Sequence, residues 1–197
     1  MRKQPRISHN NLKSKIKMSK ETEKVKTGLV RFAYPDVLEA RAFKGADPKD
    51  AKYGARIIID KEDTATLSVI NRGIAEAKDA AKFKGSFKSP LKDGDVEYPD
   101  DPDYVGKMFL HARSKFQPGV VDAARNPITD PAKFYSGVYG RAVLTFLPYT
   151  EGGNGVSARL KAVQKIKDGE PIKGSDGTEA FDDDFVASNT TDGDDFM

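Results

Sequence analysis

Along Lys107-Met-Phe-Leu-His-Ala-Arg-Ser-Lys-Phe116, alternate side chains differ in kind. Lys107, Phe109, His111, Arg113 and Lys115 share one side of a strand, because successive side chains point to opposite faces. That side carries positive charge with an aromatic ring among it. Cations neutralise phosphates and flat rings stack on bases, so the pattern suits a face over which a nucleic acid strand is laid. A face that only needed solvation would have little use for Phe109. The other side, Met108, Leu110, Ala112 and Phe116, is apolar and fit for a core.

Two later segments repeat this design. Val138, Ala142, Leu144 and Phe146 make one inward face, while Tyr139, Arg141, Val143 and Thr145 point outward, with Phe134 and Tyr135 just ahead. After a turn at Gly152-Gly153-Asn154-Gly155, Val156, Ala158, Leu160, Ala162 and Ile166 read as inward. Ser157, Arg159, Lys161, Val163, Lys165 and Lys167 read as outward. Tyr53 and Arg56, at the start of another strand, reach the sheet surface. The candidate nucleic-acid contacts are therefore Lys107, Phe109, His111, Arg113, Lys115, Tyr139, Arg141, Arg159, Lys161 and Lys165, with Tyr53, Arg56, Phe134 and Tyr135. Such cations displace counterions from phosphates and make affinity depend strongly on salt.

Other chemistries are poorly served. The chain has no cysteine, hence no disulfide, thiolate nucleophile or cysteine-bound zinc. His111 and His9 are its two histidines, and no P-loop, dinucleotide fingerprint or metal-binding histidine pair occurs. No catalytic residue, cofactor or metal is expected. A nuclease would need carboxylates converging near the basic face, whereas Asp100, Asp101 and Asp103 lie in a loop lacking the glycine and distal glutamate of a calcium loop. A module for RNA or duplex DNA would use the same cations, although paired bases hide their faces from stacking rings. In a structural scaffold protein without nucleic-acid function, the basic face would be incidental.

The elements that position these residues follow from composition and periodicity. Of 197 residues, 38% are hydrophobic and 32% charged, which provides for one domain with tails. Residues 1–26 carry +7 and read as a disordered basic arm; residues 27–173 carry +4. Residues 174–197 hold eight acids and no base, and read as a disordered acidic tail. Met18-Ser-Lys-Glu-Thr-Glu resembles a natural start, which would make residues 1–17 an upstream extension. No apolar run reaches the roughly 20 residues that span a bilayer, so no membrane partner is expected and an intracellular setting is the simplest.

Gly28–Phe43 reads as extended with a turn or bulge near Pro35-Asp36, Val30, Phe32 and Tyr34 sharing one face. Tyr53–Asp60 is the next strand. Leu67, Ile70, Ile74, Ala77 and Ala81 then follow at helical spacing, with Asp60 as N-cap. Residues 84–104 read as loop, and 117–131 as a long connection. The order strand, strand, helix, loop, strand, strand, strand fits a mainly β chain with one helix. The fold expected is an OB-type Greek-key barrel, with an open antiparallel sheet as the alternative.

Phe134-Tyr-Ser-Gly-Val-Tyr-Gly-Arg-Ala and Gly155-Val-Ser-Ala-Arg-Leu-Lys-Ala-Val-Gln-Lys-Ile-Lys-Asp-Gly-Glu-Pro resemble the bacteriophage single-stranded-DNA-binding proteins. The likeness extends upstream to about Met18 and takes in the terminal Asp-Asp-Phe; 156–171 is its most specific block. It implies an OB-fold that coats single-stranded DNA during phage replication and recombination, in the cytoplasm of the host cell. It also implies an acidic tail, here Asp182, Asp183, Asp184, Phe185, Asp192, Asp194, Asp195 and Phe196. Such a tail docks on replication proteins (polymerase, helicase-primase or recombination factors) and competes with DNA for the groove. Met197 after Phe196 is a small departure from that pattern.

Overall fold

In the computed structural model, residues 21–42, 45 and 47–172 are described. Residues 1–20 and the acidic tail lie outside them. The strands are β1 (Val25–Lys26), β2 (Val30–Arg41), β3 (Lys52–Asp60), β4 (Leu91–Asp93), β5 (Lys107–Ser114), β6 (Gly119–Val121), β7 (Tyr139–Tyr149) and β8 (Gly155–Lys167). Helix α1 spans Thr64–Ala80, and α2 is a single turn at Gly94–Glu97.

Five strands close a ring: β2 pairs with β3, β3 with β5, β5 with β8, β8 with β7, and β7 with β2. Every pairing of the ring is antiparallel except β5–β8. This is the Greek-key ring of an OB barrel, and β7 pairing with both β8 and β2 excludes the open sheet. The inward faces meet as expected: Leu110 and Ala112 from β5, Ala142, Leu144 and Phe146 from β7, and Leu160 from β8 pack with Phe32 and Ile57. α1 covers the barrel with Ile70, Ile74 and Ala77, all buried. At Gly73 a Cβ would lie 2.6 Å from the Phe146 ring, so glycine there lets the helix sit on the barrel.

Several expectations shift. The N-cap of α1 is Asp63, whose carboxylate accepts from the Thr66 amide at 3.0 Å. Asp60 still belongs to β3 and accepts from Lys107 Nζ instead. Residues 21–26, read as part of the arm, are taken into the fold. Val25 and Lys26 pair with Leu144 and Val143, and the Thr22 amide donates to the Phe146 carbonyl. The 84–104 loop contains β4, which pairs with β5, and α2.

On β8 the inward phase fails beyond Leu160. The register shift between Val143 and Leu144 leaves Lys161 as an extra residue opposite β7. Such a bulge exchanges the faces of the residues beyond it: Val163 is buried and Ile166 exposed. A bulge in β2 between Ala33 and Asp36 does the same for Tyr34, whose φ is 49° and whose ring is exposed. Phe116, read as inward, is 76% exposed because β5 ends at Ser114, whose hydroxyl accepts from the Phe116 amide.

Candidate nucleic-acid interface

The outer face of β3 and β5 divides into two halves. One half is closed. Ala33, Ile58 and Phe109 are covered by Tyr104, Tyr98 and Ile172, forming a small core outside the barrel. The other half is open, and its floor is Gly54, opposite Arg113. A Cβ at Gly54 would lie 2.7 Å from the Ala112 carbonyl and 3.1 Å from Arg113 Cγ, so glycine leaves room for the arginine stem against β3.

Beside Arg113 a groove of about 880 Å³ runs between the 88–97 segment and the β7–β8 hairpin, with Lys88, Lys92, His111, Arg113, Lys115 and Arg159 among its walls. Tyr149 adds a ring beside it. That ring lies over Gly155, where a Cβ would come within 2.3 Å of it. A second depression of about 460 Å³ is lined by Tyr34, Arg41 and Arg56, and again by His111 and Arg113. The two shared residues make the depressions one track across the barrel face.

Arg56 fixes the boundary between the closed and open halves. Its Nη1 donates to Tyr104 Oη at 2.6 Å, its Nη2 to Tyr98 Oη at 3.1 Å, and its Nε to His111 Nε2 at 3.1 Å. The guanidinium carbon also stands 5.4 Å from the Tyr34 ring centroid and 5.3 Å from that of Phe109. These are cation–π distances. Because His111 Nε2 accepts, the imidazole there is neutral. Desolvation, then the charges of Arg56, Arg113 and Lys92, lower its pKa from 6.5 to about 4.

The structure separates the residues chosen from sequence. His111, Arg113, Lys115, Arg56 and Arg159 gather along the track. Phe109 does not offer its ring. Its outward parity is correct, but it is 1% exposed, with Tyr104 and Tyr98 at 5.4 and 5.5 Å. Phe134 is also buried, edge-on to Phe32 at 5.2 Å. Tyr53 has the inward parity of Ala55 and Ile57 and is half-buried.

Other candidates are engaged elsewhere. Lys107 pairs with Asp60, and Arg141 Nε donates to the Thr27 carbonyl at 3.2 Å. Lys161 pairs with Glu21, which Arg159 also holds from the edge of the track. Lys165, Tyr135 and Asp168 form a cluster of their own, with Lys167 over the Tyr139 ring at 4.8 Å. Lys165 lies seven residues along β8 from Ala158, the partner of Ala112. At strand rise that is roughly 20 Å from the track.

Tyr34, Lys52, Lys88, Lys92 and Tyr149 line the track and were not selected from sequence. Two signals pointed to them. Lys88 and Lys92 bracket Ser89-Pro90-Leu91, and Tyr149 stands three residues before Gly152 of the glycine-rich turn. The acids at Asp100, Asp101 and Asp103 do not converge. Asp101 accepts from the Asp103 amide at 2.9 Å, and Asp103 pairs with Arg31 at 2.6 Å. Among the described residues no group of three or more metal-binding side chains occurs. No helix among them is long and apolar enough to cross a membrane.

Comparison with known proteins decides the lineage. Residues 23–197 match the family model described as Enterobacter phage Enc34, ssDNA-binding protein. The chain belongs to the Enc34 single-stranded-DNA-binding protein family. A curated relative, "Putative protein p50" of Acyrthosiphon pisum secondary endosymbiont phage 1, is 34% identical over 175 residues, spanning 81% of this chain and 93% of that one. The single-stranded DNA-binding protein of bacteriophage Enc34, solved in complex with ssDNA, superposes with a TM-score of 0.69 at 27% identity. That alignment covers 76% of this chain and 89% of the other. Gp2.5 of bacteriophage T7, a single-stranded DNA binding protein, shares the fold at a TM-score of 0.56 and 14% identity, over 77% of this chain and 98% of its own. The Enc34 family match begins just ahead of β1 and includes residues 173–197, in agreement with the resemblance read from the strand motifs.

Proposed function

We propose that this protein binds single-stranded DNA without strong sequence preference, coating it during phage replication and recombination in the host cytoplasm. The observation that carries the reading is the open track on β3 and β5, whose wall cations outnumber Asp36, Asp93 and Glu97 and which the rings of Tyr34 and Tyr149 flank. Arg113, Lys88, Lys115 and Arg159 meet phosphates, joined by Lys92 when a phosphate replaces Glu97, its 2.7 Å partner, and the two rings stack on bases. Arg56 positions Tyr34 and the covering tyrosines instead of reaching into solvent. The reading rests also on family membership and on the Enc34 relative solved with ssDNA. It assigns the protein no enzymatic step, cofactor or metal.

The deciding experiment is an anisotropy titration of a labelled oligothymidine of about 30 bases at several salt concentrations, with an equal-length duplex in parallel; the site spans several contacts. Tight binding to the single strand that weakens steeply with salt supports the reading. Equal, weak binding to both refutes it in favour of a generic basic surface.

The tail reading belongs to the same proposal. Residues 174–197, with charge −8, compete with DNA for the track and dock on replication proteins such as polymerase, helicase-primase or recombination factors. Asp182, Asp183, Asp184, Phe185, Asp192, Asp194, Asp195 and Phe196 carry that role. Deleting 174–197 tightens DNA binding at low salt; unchanged or weaker binding excludes the autoinhibition.

A further inference from the structure

At the edge of the track, next to Arg159, one carboxylate sits where a phosphate would fit. Glu21 Oε1 accepts from Thr145 Oγ at 2.9 Å and from Arg159 Nη1 at 3.0 Å. Lys161 Nζ lies 2.8 Å from the same oxygen and 3.0 Å from Oε2. A hydroxyl, a guanidinium and an ammonium thus converge on one anion from β7 and β8. That donor set serves a phosphate oxygen equally well.

The pairing does little for the fold. Side-chain exposures are 36% for Arg159, 31% for Lys161 and 32% for Glu21, and ion pairs this open contribute little to stability. Thr145 is 2% exposed and holds its hydroxyl in place. The lysine and hydroxyl hydrogen bonds, with the two cations, keep the Glu21 carboxyl below its ordinary pKa despite desolvation, so the occupant stays charged. Arg159 belongs to both places: it lines the groove and it holds Glu21.

We infer that Thr145, Arg159 and Lys161 form a backbone-phosphate subsite for single-stranded DNA, occupied in the free protein by the carboxylate of Glu21. The inference rests on the single-strand reading and deepens it. Binding then exchanges an internal anion for a strand phosphate, and the N-terminal segment ahead of β1 is released at Glu21.

The test uses the full chain in the same oligothymidine titration, comparing the natural protein, Glu21→Gln and Glu21→Gln/Lys161→Gln. Glu21→Gln tightens binding several-fold at low salt. It also steepens the plot of log affinity against log salt by about 0.7 for each phosphate gained. The added Lys161→Gln cancels both changes, which a purely structural Glu21 would not produce. Glu21→Asp, which keeps the charge and shortens the reach, gives a smaller gain and serves where Gln disturbs β1. If the natural protein binds the oligonucleotide and Glu21→Gln leaves affinity and slope unchanged, the subsite is refuted while the single-strand reading stands. A lower melting temperature without tighter binding also refutes it. If neither protein binds, even after deletion of residues 174–197, both readings fail.

Discussion

The two ends of β8 look alike in sequence and differ in structure. At the hairpin end, Arg159 faces the track with Arg113, Lys115 and Tyr149 nearby. At the far end, Lys165 and Lys167 sit beside Tyr135 and Tyr139. There the cations are spent internally. Lys165 pairs with Asp168 at 2.7 Å and donates to the Lys133 carbonyl at 2.7 Å, its head standing over the Tyr135 ring. Cations beside aromatics therefore do not by themselves mark a binding face. What separates the two ends is the adjoining concavity, about 880 Å³ beside Arg159 and about 420 Å³ beside Lys165 and Lys167, and the second internal acceptor that holds Lys165.

Four variants sharpen the contrast, in falling order of effect. Phe109→Ala empties a buried site and lowers stability by about 3–5 kcal/mol in chemical denaturation, an effect on folding with no separate stacking loss. Tyr34→Ala removes an exposed ring and costs about 1–3 kcal/mol of single-strand affinity with little change in melting temperature. Arg113→Gln weakens binding and flattens the salt dependence by about 0.7 in slope. Lys165→Gln combined with Lys167→Gln leaves affinity unchanged at any salt; a loss matching that of Arg113→Gln would abolish the distinction between the two ends.

His111 adds a test in pH. Its folded pKa, about 4, lies below the unfolded value near 6.5, so the unfolded chain takes up the proton first. The stability it contributes is fully present above about pH 6.5 and is lost as pH falls toward 4. Melting temperature followed over that window falls less for His111→Gln than for the natural protein. An equal fall in both would mean that other groups govern the acid limb.

Much of the architecture was legible because alternation is a strong signal where one face is buried. Leu110 and Ala112, then Ala142, Leu144 and Phe146, and then Val156, Ala158 and Leu160 all point inward as their pattern requires. The failures have two physical sources. Bulges at Lys161 and at Tyr34 exchange the faces beyond them, and nothing in the residue types there marks the extra residue. Cover is the second source. Phe109 points outward as expected, yet Tyr98 and Tyr104 arrive from a segment whose prolines and aspartates read only as loop. The candidate track was accordingly half visible. Its central cations were found on β5, while Tyr34, Lys88 and Tyr149 come from positions that only the closed ring brings together.

That closed ring also constrains how the chain can fold. Val25 meets Leu144, and Val30 meets Gly140, partners separated by more than a hundred residues. Such pairings close large loops before they yield any contact energy, which places the chain among the slow, millisecond-to-second folders. During synthesis β1 and β2 emerge first and have no mate on their β7 side until the last third of the chain is made. A fragment ending before β7 therefore carries two unpaired strand edges, the condition under which nascent β-proteins aggregate or require a chaperone.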